Sequence, residues 1–322
     1  MATVAAILTV RSEPTDRLAR RFAELAAQDL TLDEVVVAAP AEEHPSIKAV
    51  APPDAPFALR LVDNPGGQRS AGLNLAIRAA TADLLVRVDA RSGLSPAHVA
   101  ICAAVLDERP EVGVVSGPQI PVAGREDAVS RGIARALANP WALGGATYRR
   151  VSGAGPVDTV YLGAFRRHEL LEVGGYDDRL VANEDFELCQ RYRRKGLTVW
   201  LHPEAAVAYE PRTSFGSVAA QYFAFGRSKV SFWRLTGAPA QARQRVALAG
   251  ATGGVVLAGW VLRRPRRAPG ALVVVASALA LVDDLGSHRA PVSVGVRAAA
   301  LCTYPVVWAA WSAGVLDATM RS

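Results

Sequence analysis

Short apolar runs alternate with helical segments from residue 2 to about residue 210, and no other feature of the sequence constrains the fold as strongly. The apolar runs are rich in β-branched residues, as in TVAAILTV, DEVVVAAP, FALRLVD, DLLVRVDA and EVGVVSG. The segments between them have helical periodicity; in PTDRLARRFAELAAQDL, Leu18, Phe22 and Leu25 share one face. This alternation predicts an α/β fold with a mostly parallel sheet flanked by helices. Sites in open α/β sheets lie at the carboxyl ends of strands, so Asp89, near the end of DLLVRVDA, is a first candidate.

The end of the chain is apolar in a different way. Three stretches lack charged residues: 246–262 with 17 residues, 268–282 with 15 and 298–316 with 19. A membrane-spanning helix needs about 20 residues, so the last stretch is the best candidate span and the first two are marginal. Two arginines precede the first stretch and RRPRR follows it. Because positive residues prefer the cytoplasm, we predict that 246–262 is interfacial or re-entrant, that the other two stretches span, and that both termini are cytoplasmic. Three full spans, with RRPRR outside, are the alternative.

Between these regions lies SFGSVAAQYFAFGRSKVSFWRL, which mixes aromatic and basic residues. It predicts an amphipathic helix at a membrane surface, and the alternative is a core helix of a soluble domain. We therefore divide the chain into residues 1–212, an α/β domain; 213–245, an interfacial helix with a basic linker; and 246–322, a membrane region with two or three segments.

Charge and cysteine content limit the function classes. The net charge of +6 suits anionic lipid or phosphorylated substrates, and no nucleic-acid-binding signature accompanies it. Cys102, Cys189 and Cys302 are far apart and odd in number, which argues against a disulfide framework and fits a reducing compartment. The N-terminus has no basic residues before its apolar run, so we interpret it as a first strand and not as a signal peptide.

Three segments carry residues that could do chemistry. A carboxylate at Asp89 suits a divalent cation that bridges phosphates, or it caps the next helix. In NPGGQRSAGLN, Arg69 at a helix start could bind an anion, or the segment is a plain turn. In ANEDFELCQRYRRKGLTVWLHP, Glu184 and Asp185 follow an asparagine, and they are either catalytic acids or ordinary acids in the first turn of a helix that Asn183 caps. His202 ends a strand in the same segment, where a structural role is favoured over metal binding.

Taken in order, these segments resemble glycosyltransferase family 2, the inverting GT-A enzymes, and in particular the succinoglycan-biosynthesis-type subgroup. The resemblance covers residues 3–230. Its most specific parts are NPGGQRSAGLNLAIRAATADLLVRVDAR and LGAFRRHELLEVGGYDDRLVANEDFELCQRYRRKG, in the right order and spacing. It implies a nucleotide-sugar donor and Mg²⁺ or Mn²⁺ as the cofactor.

The resemblance also implies residue roles. Asp185 matches the catalytic base, with Glu184 beside it, and Asp89 matches the first acid of the metal motif. Its donor-side positions are Glu13, Arg69, Asn74 and Asp89, and we add Arg11 and Arg87 as donor-side candidates. Its acceptor-side positions are Gly163 and Ala164, in a loop, and Gln221, which opens the QxxRW motif; we add Arg227 and Lys229 on the acceptor side. His202 is a further candidate metal ligand.

Three positions depart from the family pattern. Ala39 stands where an acid usually contacts the nucleobase, and Arg91 stands at the third position of the DXD motif. Ala224 and Phe225 replace the Arg-Trp of QxxRW, and Arg227 and Lys229 could supply the lost charge.

The prediction is therefore an inverting, metal-dependent transferase at the inner cell membrane, with its catalytic domain facing the cytoplasm. Its partners would be a nucleotide-sugar donor, membrane lipid and a lipid-linked or glycan acceptor. One alternative is a catalytically inactive homologue that binds a partner or lipid carrier. Another is a nucleotidyltransferase. That class would require a glycine-rich loop after the first strand, whereas TVRSEPTD has no glycine.

Overall fold

A computed structural model of the chain describes residues 2–139, 153–238, 268–286 and 291–321, together with scattered positions between 240 and 266. The chain divides into two compact units. The first, here called the sheet unit, comprises Met1–Ile120 and Arg150–Tyr209, and the second, the helical unit, comprises Pro121–Arg149 and Glu210–Ser322. The sequence had placed residues 121–149 with the α/β domain, whereas the division puts them with the C-terminal helices.

The strands are β1 Val4–Thr9, β2 Glu34–Ala39, β3 Ala58–Asp63, β4 Leu84–Asp89, β5 Ser92–Leu94, β6 Val112–Ser116, β7 Gln119–Pro121, β8 Gly155–Pro156, β9 Ala164–Arg166, β10 Thr198–Leu201 and β11 Val207–Tyr209. The helices are α1 Thr15–Ala26, α2 His44–Val50, α3 Arg69–Ala79, α4 His98–Glu108, α5 Ala128–Ala138, α6 Arg167–Glu172, α7 Glu184–Arg194, α8 Phe215–Thr236, α9 Ala268–Gly286 and α10 Val294–Met320.

The main sheet has eight strands in the order β3-β2-β1-β4-β9-β6-β10-β8. Strands β1 to β4 are parallel to one another, and β6 is parallel to β10, as the alternating pattern predicted. Strand β9 is the exception, because it lies antiparallel between β4 and β6. A strand of three residues carries too little periodicity to be predicted from the sequence. A second, smaller sheet joins β5, β11 and β7.

The core of the sheet unit follows the apolar pattern of the sequence. Strands β2 and β6 are buried along their whole length, as expected for strands covered on both faces. Leu18, Phe22 and Leu25 of α1 are each 1–2% exposed, so the predicted helix face is confirmed. Burial of such side chains contributes about 2 kcal/mol each.

In the helical unit, α8 and α10 cross at two glycines. A Cβ on Gly226 would lie 2.1 Å from the carbonyl oxygen of Trp311, and one on Gly314 would lie 2.1 Å from that of Phe223. Small residues let helix backbones approach this closely. Helix α8 begins after the capping Ser214 and ends before Gly237, which is in the left-handed conformation. It coincides closely with SFGSVAAQYFAFGRSKVSFWRL, the part of segment 213–245 in which the sequence predicts a helix.

Two described helices, Pro269–Gly286 within α9 and Val294–Met320, are long and apolar enough to cross a membrane. They differ in burial: 6% of the apolar 18-residue stretch in α9 is buried, against 44% of the corresponding stretch in α10. Helix α10 is covered because α5 and α8 pack along it. The sequence ranked the last stretch as the best span, whereas the packing makes α9 the more exposed apolar helix. The first apolar stretch, 246–262, lies largely outside the described residues.

Candidate active site

The candidate site is built at the carboxyl edge of the parallel strands. Asp89 ends β4 and pairs in register with Thr9, which ends β1. A tight turn follows Asp89: its backbone N–H donates to Ser92 Oγ at 3.0 Å, and that hydroxyl donates to the Asp89 carbonyl at 2.6 Å. The Asp89 side chain is 16% exposed, so the strand delivers a carboxylate to the sheet edge with limited access to solvent.

Arg87 connects Asp89 to the acids of α7. Its side chain is 1% exposed, and its guanidinium lies 5.3 Å from the ring centre of Tyr176. Nη1 donates to Asp185 Oδ1, and Nη2 donates to Glu184 Oε1 at 3.1 Å. Nε and Nη2 both lie 3.4 Å from Asp89 Oδ1. One buried cation therefore contacts all three predicted acids.

The first turn of α7 presents the two acids without the predicted cap. Asn183 has φ 68°, in the left-handed region, and its side chain makes no capping hydrogen bond. Asparagine tolerates this conformation better than most residues, and strained backbone is common at functional sites. The capping role expected for Asn183 was therefore wrong. Glu184 is 3% exposed, and the Asp185 side chain is 23% exposed, so Asp185 is the more accessible acid.

The charged groups of the cluster shift one another's pKa values. Burial is the largest influence on Asp185 and raises its pKa to about 7, with Arg87 opposing and Glu184 reinforcing the shift. Burial also disfavours the charge on Asp89, but Arg87 and Arg69 outweigh it and hold the pKa of Asp89 below its usual value. Asp89 is the main cause of a raised pKa at Arg69. Asp89 is thus kept ionised, whereas the buried Asp185 holds a proton more readily than an ordinary aspartate.

The two most family-like sequence segments are joined directly. Asn74 of α3 donates to the Tyr176 carbonyl at 2.8 Å and to Asp178 Oδ1 at 2.7 Å, and it accepts from the Tyr176 N–H at 2.8 Å. Gly175 has φ 65°, and a Cβ there would lie 2.3 Å from Asn74 Oδ1. The Asn74 side chain, predicted to lie near the donor, is engaged in holding the turn before α7. Arg69 Nη1, on the same helix, lies 3.6 Å from Glu184 Oε1.

Arg11 and Glu13 lie at the start of the chain's first loop. Arg11 Nη1 donates to the Gly66 carbonyl at 3.4 Å, so it packs on the turn before α3. Glu13 forms an ion pair with Arg17, 2.8 Å away on α1. These contacts place Arg11, more than Glu13, against the predicted anion-binding turn.

Gly163 and Ala164 were expected in an acceptor-side loop, and this expectation was wrong for Ala164. Ala164 is 1% exposed in β9 and pairs with Val86 of β4. The Gly163 carbonyl accepts from the Arg87 N–H at 3.1 Å, and a Cβ on Gly163 would lie 2.5 Å from Phe165. The pair is therefore part of the sheet that supports Arg87.

Gln221, Arg227 and Lys229 lie on α8 in the helical unit. Arg227 Nε is 3.2 Å from Asp317 Oδ2, and the Lys229 ammonium is 4.1 Å from the ring centre of Phe232. Lys229 is 7% exposed. Both predicted replacements for the QxxRW charge therefore have partners within the helical unit.

His202 follows β10, which the sheet order places three strands from β4. Three inter-strand steps amount to about 14 Å, so His202 and Asp89 are not neighbours along the edge. Within the described ranges, no group of three or more His, Cys, Asp or Glu side chains could hold a metal ion.

Sequence reasoning missed three tyrosines around the site. Tyr161 and Tyr209 meet edge to face with ring centres 5.9 Å apart. Burial, followed by the charge of Asp89, raises the pKa of Tyr161. Tyr176, under Arg87, follows a double glycine. Only this last position carried a sequence signal, since the double glycine announces a turn.

The comparisons with known proteins identify the family and the fold. The chain matches the family described as “Glycosyltransferase like family 2” over residues 3–227. The succinoglycan biosynthesis protein ExoA of Rhizobium meliloti (strain 1021) is 27% identical over 170 residues, which are 52% of this chain and 51% of that protein. The chain thus spans about half the length of this relative. A solved mannosyltransferase of Pyrobaculum calidifontis, PcManGT, in complex with GDP-Man and Mn²⁺, has a TM-score of 0.65 at 18% identity and covers 100% of this chain and 88% of that one.

The mixed sheet with acids at its carboxyl edge is the fold of GT-A transferases, and the similarity to the solved structure confirms the predicted fold class. Within that class the match over residues 3–227 decides the family. The chain belongs to glycosyltransferase-like family 2, and the resemblance to succinoglycan-biosynthesis-type proteins is confirmed.

Proposed function

We propose that this glycosyltransferase moves a sugar, with inversion, from a nucleoside-diphosphate donor to a lipid-linked or glycan acceptor. The observation that supports this most is the cluster at the sheet edge, where Asp89, Arg87, Glu184 and Asp185 lie in contact. These residues come from segments about a hundred positions apart, and the resemblance implies that Asp89, Glu184 and Asp185 serve one reaction.

In the proposed reaction, Asp185 is the general base. The acceptor hydroxyl oxygen attacks the anomeric carbon, Asp185 takes the hydroxyl proton, and the bond from the anomeric carbon to the leaving phosphate oxygen breaks with its electron pair going to the diphosphate. Asp185 Oδ1 is bound by Arg87, and no hydrogen bond joins Oδ2 to any residue that the structure describes. This second oxygen is the one we assign to the proton.

Asp89 is the residue we propose to hold a divalent cation, Mg²⁺ or Mn²⁺. When bound, such a cation offsets the charge that develops on the leaving diphosphate. A single carboxylate fits this role, because Mg²⁺ is usually held by one or two carboxylates together with substrate phosphates. Asp89 is ionised, is partly accessible and has Arg69 nearby as a further cation for the diphosphate. His202 is not part of the site that we propose.

We also propose that the enzyme works at the inner membrane with the catalytic fold on the cytoplasmic side. The exposed apolar residues of α9, among them Val274, Leu281 and Leu285, support contact with lipid. The arginines that precede α9 would favour the cytoplasmic surface.

The alternative is an inactive homologue, which Ala39 and Arg91 favour because both replace acids of the family pattern. Ala39 is fully buried at the end of β2, so it offers the nucleobase no carboxylate. A binding screen of nucleoside diphosphates with and without Mn²⁺ tests the proposal. We expect tight binding of at least one diphosphate only with Mn²⁺, and slow hydrolysis of the matching nucleotide sugar without acceptor. Binding without any hydrolysis or transfer would favour the inactive homologue.

A further inference from the structure

Arg87 is too deeply buried for the donor-binding role that the sequence suggested. Its side chain is 1% exposed in the middle of the sheet, with the Tyr176 ring against it. We propose that Arg87 is instead a positioning residue, whose two terminal nitrogens hold Asp185 and Glu184 in the orientation in which Asp185 receives the acceptor proton. This inference rests on the proposed function, in which Asp185 is the base.

The distances show which acids Arg87 holds. Its terminal nitrogens donate to Asp185 and, at 3.1 Å, to Glu184, whereas Asp89 Oδ1 lies 3.4 Å from both Nε and Nη2. Hydrogen bonds between charged groups are typically about 2.7–2.9 Å, so the contact with Asp89 is the weakest of the three. Arg87 therefore fixes the α7 acids and leaves Asp89 able to take a cation.

The start of α7 depends on this contact for its orientation. Asn183 enters the helix in the left-handed conformation and provides no side-chain cap. The first turn is held instead by Arg87 from within the sheet and by Arg69, whose Nη1 lies 3.6 Å from Glu184. Arg87 joins two adjacent carboxylates through two different nitrogens, and the single ammonium of lysine cannot reproduce that fork.

The test compares Arg87→Lys with Arg166→Lys. Arg166 is a matched arginine: it pairs in register with Leu84 of the same β4 strand, is 16% exposed, and donates to the Val112 carbonyl at 2.9 Å and to Glu169 at 2.8 Å, away from the three acids. Turnover is measured with a panel of UDP- and GDP-sugars, and affinity with the corresponding diphosphates and Mn²⁺. We expect Arg87→Lys to lower kcat about 10²-fold, as for a misplaced catalytic group, with diphosphate affinity little changed. Arg166→Lys should lower Tm and leave the kcat of the folded enzyme unchanged.

A double-variant cycle separates positioning from general damage. If Arg87 acts through Asp185, then Arg87→Lys added to Asp185→Asn causes no further loss of kcat. Multiplied losses, a normal kcat in Arg87→Lys, or a loss confined to diphosphate affinity would each overturn the inference while leaving the proposed function standing. Normal turnover by Asp185→Asn would instead overturn the base assignment itself.

Tyr176→Leu provides a second variant should Arg87→Lys not fold. It removes the ring that supports the guanidinium and leaves all three acids and Arg87 itself unchanged in sequence. Loss of a cation–π contact of this size predicts a kcat about tenfold lower with an unchanged KM for the donor. An unchanged kcat in this variant would overturn the positioning role.

Discussion

Asp185→Asn should make the protein more stable while it abolishes most activity. The substitution keeps the shape of the side chain and removes its charge. In the folded protein burial disfavours that charge more than Arg87 favours it, so the pKa of Asp185 is raised to about 7. In the unfolded chain the carboxyl is in water, so ionising it carries no such free-energy penalty.

The expected gain in stability follows from the rise in the pKa of Asp185. A rise from 3.8 to about 7 corresponds to at most about 4 kcal/mol at about 1.4 kcal/mol per pKa unit. Because the side chain is still 23% exposed, we expect a gain of about 2–4 kcal/mol. A group whose pKa is raised on folding contributes stability below its unfolded pKa and loses it as the pH rises through the folded pKa. The variant should therefore match the wild type near pH 4, and its advantage should grow up to about pH 7 and then stay constant.

Urea unfolding followed by circular dichroism, in EDTA to exclude cations, measures this difference at several pH values. Glu184→Gln is the matched control, because Glu184 lies next along the helix but is paired with both Arg87 and Arg69, so no gain is expected. In parallel, kcat of Asp185→Asn should fall about 10²–10⁴-fold, as for loss of a general base, and Glu184→Gln should cost less. If Asp185→Asn is less stable than the wild type at pH 8, the electrostatic reasoning is wrong. If it turns over normally, Asp185 is not the base.

Three other experiments test separate parts of the structure. Asp89→Ala should weaken diphosphate binding much more in Mn²⁺ than in EDTA, and an equal loss in both would mean that Asp89 is structural. Gly226→Ala should lower the free energy of unfolding by about 1–3 kcal/mol, because the added methyl group would overlap the backbone of α10. Gly216→Ala in the same helix is the control: a Cβ there meets nothing within 4 Å, so the change should be neutral or stabilising. Equal effects of the two substitutions would contradict the close crossing. A cysteine at position 322 should be labelled from the cytoplasmic side only, and labelling from outside alone would rule out the two-span topology.

Much of the sheet unit could be predicted from its sequence, because each central strand is an apolar run covered on both faces. The face of α1 is a good example, since Leu18, Phe22 and Leu25 are all buried. Strand β9 could not be predicted in this way. Its three residues run antiparallel to β4 and β6, and only tertiary contacts define that arrangement.

For the candidate site, the resemblance selected three acids that the structure places in contact, and the structure adds neighbours and contacts that the sequence did not indicate. Asp89, Glu184 and Asp185 do meet, through Arg87. The hydrogen bonds of Asn74 to the backbone of residue 176 and to Asp178 could not be predicted, because they join residues about a hundred positions apart. Ala164 was misplaced because a short apolar segment next to a glycine resembles a loop as much as a strand.

Strand β9 also has a consequence for the order in which the chain can fold during synthesis. Strands β4 and β6 both leave the ribosome well before β9, residues 164–166. Among the described strands of the main sheet, β9 alone lies between them and joins them. Until β9 arrives, each presents an open edge of unpaired backbone groups, which is a template for pairing with another chain. The contact between Arg87 and Asp185, 98 positions apart, must form later still. Chains shortened to end before residue 164 should therefore aggregate, and the late insertion of β9 should be the step at which a nascent chain most needs protection.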